Sequence, residues 1–62
     1  MPTTVIITFD PELEEYCVRR QGAPLSHGYY TPWKEDAEGT ARVEHGADCI
    51  IRHRRRKPDD NR

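Results

Sequence analysis

The chain has 62 residues, of which 34% are charged, yet its net charge at neutral pH is only -1. A chain this short buries only about 60% of the surface that it exposes when unfolded, which excludes a second core and leaves little room for a deep substrate pocket. The charged fraction is near that of disordered chains, but the apolar residues are grouped in three runs. We therefore expect one folded domain over residues 1–57, followed by a short charged tail over 58–62.

The first predicted element is a β-strand over residues 3–9, a β-branched run that alternates between two faces. A helix is predicted from Pro11 to Arg20, because Asp10 can cap its first turn and Pro11 fits the first helical position. Its apolar stripe consists of Leu13, Tyr16 and Cys17. Gly22 and Pro24 are expected to end this helix.

Residues 22–39 are predicted to be mostly irregular, because prolines and glycines interrupt them. Two strands over residues 40–45 and 48–54 then form a hairpin around Gly46 and Ala47. The predicted fold is a small α+β domain of the order β-α-β-β, in which one helix packs on one face of a three-stranded sheet. We expect it to be a monomer.

The composition also indicates the compartment. No apolar run approaches the roughly 20 residues of a membrane span, and the first nine residues lack the basic start of a signal peptide. The two cysteines allow one disulfide at most, whereas a secreted domain of this size commonly has two to four. We therefore expect a cytoplasmic protein with reduced thiols and no membrane contact.

Catalysis and metal binding have little support in the sequence. A nucleophile needs a base within hydrogen-bond reach, and Ser26 and His27 are merely adjacent in the chain. Zinc would require ligands from Cys17, His27, His45, Cys49 and His53. The cysteines are 32 positions apart rather than two to four, so the spacing fits no known zinc finger. We predict a non-enzymatic protein without cofactor or metal, and keep a zinc-stabilised interaction domain as an alternative.

Charge is distributed unevenly along the chain. Residues 49–62 contain six of the ten bases, whereas residues 1–48 contain nine of the eleven acids. The basic residues form a run that can neutralise several phosphates, which favours nucleic-acid binding. The alternative for this run is a solvated end that protects an edge strand from pairing. Its candidate contacts are Arg52, Arg54, Arg55, Arg56 and Lys57.

The acidic residues suggest a different partner. A negative surface can attract a basic protein that handles nucleic acid, and exposed aromatic residues can anchor such an interface. The alternatives are a solvated helix face for the acids and core packing for the aromatic residues. The candidate partner-binding residues are Glu12, Glu14, Glu15, Tyr29, Tyr30, Trp33, Glu35 and Asp36.

The acidic segments Asp10–Glu15 and Lys34–Glu38, in so small a chain, give it a resemblance to small phage-encoded inhibitors, including anti-CRISPR proteins. The resemblance lies in overall character and not in a motif. It implies a protein that blocks a host defence complex by occupying a basic nucleic-acid site. The basic C-terminal run departs from a purely acidic mimic. We therefore expect a protein-binding inhibitor that acts through an acidic surface, with direct nucleic-acid binding through the arginine run as the alternative.

Overall fold

The computed structural model describes residues 2–56, which form a small α+β domain. The sheet has four strands in the order β3-β2-β1-β4, with β1 and β4 parallel and the other pairs antiparallel. A short 3-10 turn, Leu25–His27, lies between β2 and β3. The elements are β1 (Thr4–Asp10), β2 (Glu15–Arg20), β3 (Tyr29–Thr31), α1 (Lys34–His45) and β4 (Ile50–Arg55).

The core lies between one face of the sheet and α1. Val5 and Ile7 of β1 and Val18 of β2 pack there against Ala37 and Ala41 of the helix. The two alanines are four residues apart and fully buried, so their small side chains bring the helix close to the sheet. The strand predicted over residues 3–9 is confirmed. The α+β class with one α-helix on one sheet face also holds, but that helix is α1 and not the segment predicted to be helical.

The helix predicted over residues 11–20 is wrong, because residues 11–14 form a turn that leads into β2. Asp10 Oδ1 accepts hydrogen bonds from the backbone N–H groups of Glu12 and Leu13, at 3.0 and 3.4 Å. This is the chemistry of a helix cap, but here it stabilises a turn. Glu14 adopts φ of 55°, a left-handed conformation that turns the chain back along β1.

The second half of the chain also differs from the prediction. Residues 22–39 were expected to be irregular, yet they contain β3 and the beginning of α1. The strand predicted over residues 40–45 is the second half of α1, and the predicted hairpin is absent because β4 pairs with β1 in parallel. Gly46 ends the helix instead, with its N–H donating to the carbonyl of Arg42 at 3.0 Å. The sheet therefore has four strands rather than three.

No helix within residues 2–56 has both the length and the apolar character needed to cross a membrane.

Two glycines give a matched test of α1. Gly39 lies in its middle, where an added Cβ meets no atom within 4 Å, so Gly39→Ala should raise the free energy of unfolding by about 0.5–1 kcal/mol. Gly46 has φ of 107°, and its Cβ would lie 3.1 Å from Asp48 Oδ1. Gly46→Ala should therefore lower that free energy by about 1 kcal/mol or more. Urea denaturation measures both, and equal effects of the two variants would contradict the assignment of the helix end.

Candidate functional site

The sheet face opposite α1 carries a concentration of arginines, and we call it the basic face. Strand alternation places Arg19 of β2 and Arg52 and Arg54 of β4 on it, because Val18 and Ile51 point to the helix. Ile6 of β1 is paired with Arg19 on the neighbouring strand β2 and with Arg52 on the other neighbouring strand, β4. Neighbouring strands are about 4.8 Å apart, so the backbone fixes the spacing between the Cα atoms of these arginines.

A second row crosses all four strands at the next position of the basic face. Tyr30 lies opposite Cys17, which lies opposite Thr8, which in turn lies opposite Arg54. A cavity of about 430 Å³ opens along this row. Its wall contains the four residues of the row together with Asp10, Arg19, Arg55 and Arg56. This volume falls in the range of ligand pockets, about 300–1,000 Å³.

An ion pair lies at one end of the basic face. Arg56 Nη1 is 2.8 Å from Asp10 Oδ2, and the Asp10 side chain is largely buried. Burial by itself raises the pKa of the Asp10 carboxyl, but the backbone N–H groups of Glu12 and Leu13 together with Arg56 lower this pKa below its usual value. Asp10 is therefore ionised at neutral pH and compensates the charge of Arg56.

The predicted arginine run is divided between the two faces of the sheet. Arg52 and Arg54 lie on the basic face, whereas Arg55 lies on the helix side, with its guanidinium carbon 5.5 Å from the centre of the Phe9 ring. His53 also points to the helix side, where its Nε2 is 3.0 Å from Glu38 Oε2. The prediction for Lys57 lies outside the described residues, as does the predicted tail over 58–62.

The five predicted acidic partner-binding residues gather at one end of the sheet, which we call the acidic end. The β1–β2 turn and the N-terminus of α1 meet there, because Tyr16 pairs with Thr31 just before the helix begins. Trp33 is 67% exposed at the start of the helix. The acids at this end are Glu12, Glu14, Glu15, Glu35 and Asp36.

The two tyrosines of the predicted partner site point to opposite faces. Tyr29 lies on the helix side, where its hydroxyl donates to Asp36 Oδ2 at 2.7 Å. This hydrogen bond raises the pKa of the Tyr29 hydroxyl. Tyr30 lies on the basic face and is 46% exposed. The predicted set of aromatic residues is therefore not one surface.

The cysteines and histidines singled out by the sequence are not brought together. Cys17 lies on the basic face, whereas the Sγ of Cys49 is 3.7 Å from the carbonyl oxygen of Ala41 on the helix side. Both thiols are free. In the part of the chain that the structure describes, no three His, Cys, Asp or Glu side chains are grouped so that they can hold a metal ion.

Sequence reasoning missed Arg19 and Thr8 as site residues. Because the sequence predicts a helix over residues 15–20, it does not predict that Arg19 lies on the same surface as the C-terminal arginines. The signal was the alternation of Tyr16 and Val18 with Cys17 and Arg19, which is typical of a strand with two different faces.

No protein-family model, curated protein or solved structure shows a significant match to this chain.

The lowered pKa of Asp10 predicts a pH dependence of stability. Because the folded-state pKa lies below the unfolded value of about 3.9, the ionised carboxylate stabilises the fold above that value, and this contribution is lost as the pH falls through the folded pKa. Asp10→Asn should therefore be less stable than the wild type at neutral pH, and this difference should shrink below about pH 4. Urea denaturation across this range measures it. Parallel pH profiles of the two proteins would contradict the role of the Asp10–Arg56 pair.

Proposed function

We propose that the chain binds nucleic acid, without catalysis, through the basic face. One observation carries the proposal: arginines from two strands that are not neighbours, β2 and β4, converge on a sheet face that has no α-helix over it in the described part of the chain. Guanidinium groups bind phosphate oxygens through paired N–H donors. An exposed aromatic ring on the same face, Tyr30, adds a surface on which a base can stack.

The distribution of charge supports this orientation. The chain has a net charge of -1, so a uniformly charged surface would not attract a polyanion. The basic face instead presents three arginines, Arg19, Arg52 and Arg54, besides Arg56, whose charge Asp10 compensates. The acids on α1 lie on the other side of the sheet, whereas Glu15 alternates onto the basic face with Cys17 and Arg19, and Asp10 on this face is paired with Arg56. A polyanion would therefore approach the molecule from one side.

The proposal predicts that nucleic-acid binding weakens as the salt concentration rises, and that replacing an arginine weakens binding only when that arginine lies on the basic face. Fluorescence anisotropy with labelled oligonucleotides at about 50 and 200 mM salt should show a steep loss of affinity. Arg52→Gln and Arg54→Gln should each reduce the slope of log K against log salt by about 0.7–0.9, the value of one lost phosphate contact.

The matched control is Arg42→Gln, because Arg42 is exposed on the last turn of α1, on the other side of the sheet. Its slope should equal that of the wild type. Absence of binding at the lower salt concentration, or equal losses in all three variants, would contradict the proposal.

The acidic end favours a second candidate function, the binding of a basic protein partner. Trp33 and Leu13 are 67% and 60% exposed, and both lie at the end of the sheet that carries the acids. A large exposed apolar pair with a charged rim is the usual anatomy of a protein interface. Inhibition of a nucleic-acid-handling complex, as implied by the resemblance to phage-encoded inhibitors, stays a prediction.

For this second candidate, Trp33→Ala should weaken binding to a purified basic partner by about 30-fold or more, which corresponds to an interface hot spot. Isothermal titration measures the change. Glu44→Gln is the control, since Glu44 is exposed near the other end of α1. A partner whose affinity is unaffected by Trp33→Ala and by charge reversal of Glu14 would exclude the acidic end as its site.

A further inference from the structure

The cavity on the basic face has one aromatic wall and several arginines in its lining, together with Asp10, whose charge is paired with that of Arg56. Tyr30 stands at one side of it on the edge strand β3, and Arg54 stands at the other side on the edge strand β4. Cys17 and Thr8 lie between them on the two central strands. The distance across three strand spacings is about 14 Å, enough for a nucleotide to place its base at one side and its phosphate at the other.

The Tyr30 ring is suited to stacking with an uncharged ring. It is 46% exposed, so one part of the ring is open to a ligand while the rest packs on the sheet. Hydrogen bonding with the Cys17 side chain, together with partial burial, raises the pKa of the Tyr30 hydroxyl. The ring is therefore neutral at physiological pH and does not repel a phosphate.

Arg19 has a donor for which residues 2–56 supply no acceptor. Its Nη1 donates to the carbonyl of Ala23 at 3.1 Å, which fixes the orientation of the guanidinium group. Its Nε is buried, and no residue of the described range accepts a hydrogen bond from it. A guanidinium group whose orientation is already fixed by the Ala23 carbonyl loses little conformational freedom when its remaining donors bind a phosphate. Arg19 lines the same cavity as Tyr30.

We propose that the ligand of the basic face is specifically single-stranded nucleic acid, with one base stacked on Tyr30 and the backbone phosphates on Arg19, Arg52 and Arg54. This inference rests on the proposed function and narrows it. In a duplex the faces of the bases are covered by their neighbours, so Tyr30 would have no ring to stack on. Along β4, arginines recur on this face at every second residue, about 6.6 Å apart, so an extended strand meets a guanidinium group at regular intervals.

The test compares Tyr30→Leu with Tyr29→Leu, because these neighbouring tyrosines point to opposite faces of the same strand. Leucine keeps an apolar side chain on the sheet and removes only the aromatic face. Binding is measured by anisotropy with a single-stranded oligonucleotide, the matching duplex, and polyphosphate, which has phosphates but no bases. Circular dichroism verifies that each variant is folded, and Tyr30→Phe serves as the conservative variant.

The wild type should bind the single strand more tightly than the duplex. Tyr30→Leu should weaken single-strand binding by about 5- to 100-fold, the effect of losing one stacked base, while Tyr30→Phe stays within about twofold of the wild type. Tyr29→Leu should bind like the wild type, and polyphosphate binding should be the same in all variants.

Two results would overturn the inference, and they are distinguishable from each other. Equal affinity for single strand and duplex, with no effect of Tyr30→Leu, would refute stacking but leave nucleic-acid binding through the arginines intact. No binding of either oligonucleotide at about 50 mM salt would refute the proposed function and this inference together.

Discussion

The fold depends on the burial of β1 from both sides. Val5, Ile6 and Ile7 are consecutive residues with exposures of 0%, 2% and 1%, although α1 covers only one face of the sheet. Val5 and Ile7 point to the helix, while Ile6 points to the basic face, where Arg19 and Arg52 lie opposite it on the neighbouring strands. Arg19 and Arg52 flank Ile6 on this face, and the aliphatic part of an arginine side chain is able to cover an apolar neighbour.

This arrangement joins the core to the candidate site. Arg19 is already held by its hydrogen bond to the Ala23 carbonyl, so a ligand need not order this side chain fully. The parallel pairing of β4 with β1 has a second effect, because it sets the alternation of the arginine run. Arg52 and Arg54 lie on one face, and His53 and Arg55 on the other. A run that is continuous in sequence therefore offers only part of its charge to one ligand.

The sequence predicted β1, the α+β class and the β-character of residues 50–54, because β-branched runs and alternation are strong local signals. It did not predict β2. Asp10 accepts hydrogen bonds from the backbone N–H groups two and three residues ahead, and this pattern occurs both at the start of a helix and in a turn. The pairing of β2 with β1 decides between the helix and the turn, and this pairing is a tertiary contact that local sequence patterns do not reveal. The sequence did not predict α1 either, because the buried residues of that helix are two small ones, Ala37 and Ala41, among charged neighbours.

The same error accounts for the part of the site that was missed. Arg52 and Arg54 were predicted from composition, whereas Arg19 joins them only after β2 is placed beside β1. The Asp10–Arg56 pair then marks the boundary between the basic face and the acidic end. While Asp10 is ionised, Arg56 is held at this boundary and adds no net charge to the face. Under the proposed function, the charge available to a polyanion on this face therefore belongs to Arg19, Arg52 and Arg54, and Arg19, which is not part of the arginine run, becomes a central part of the site.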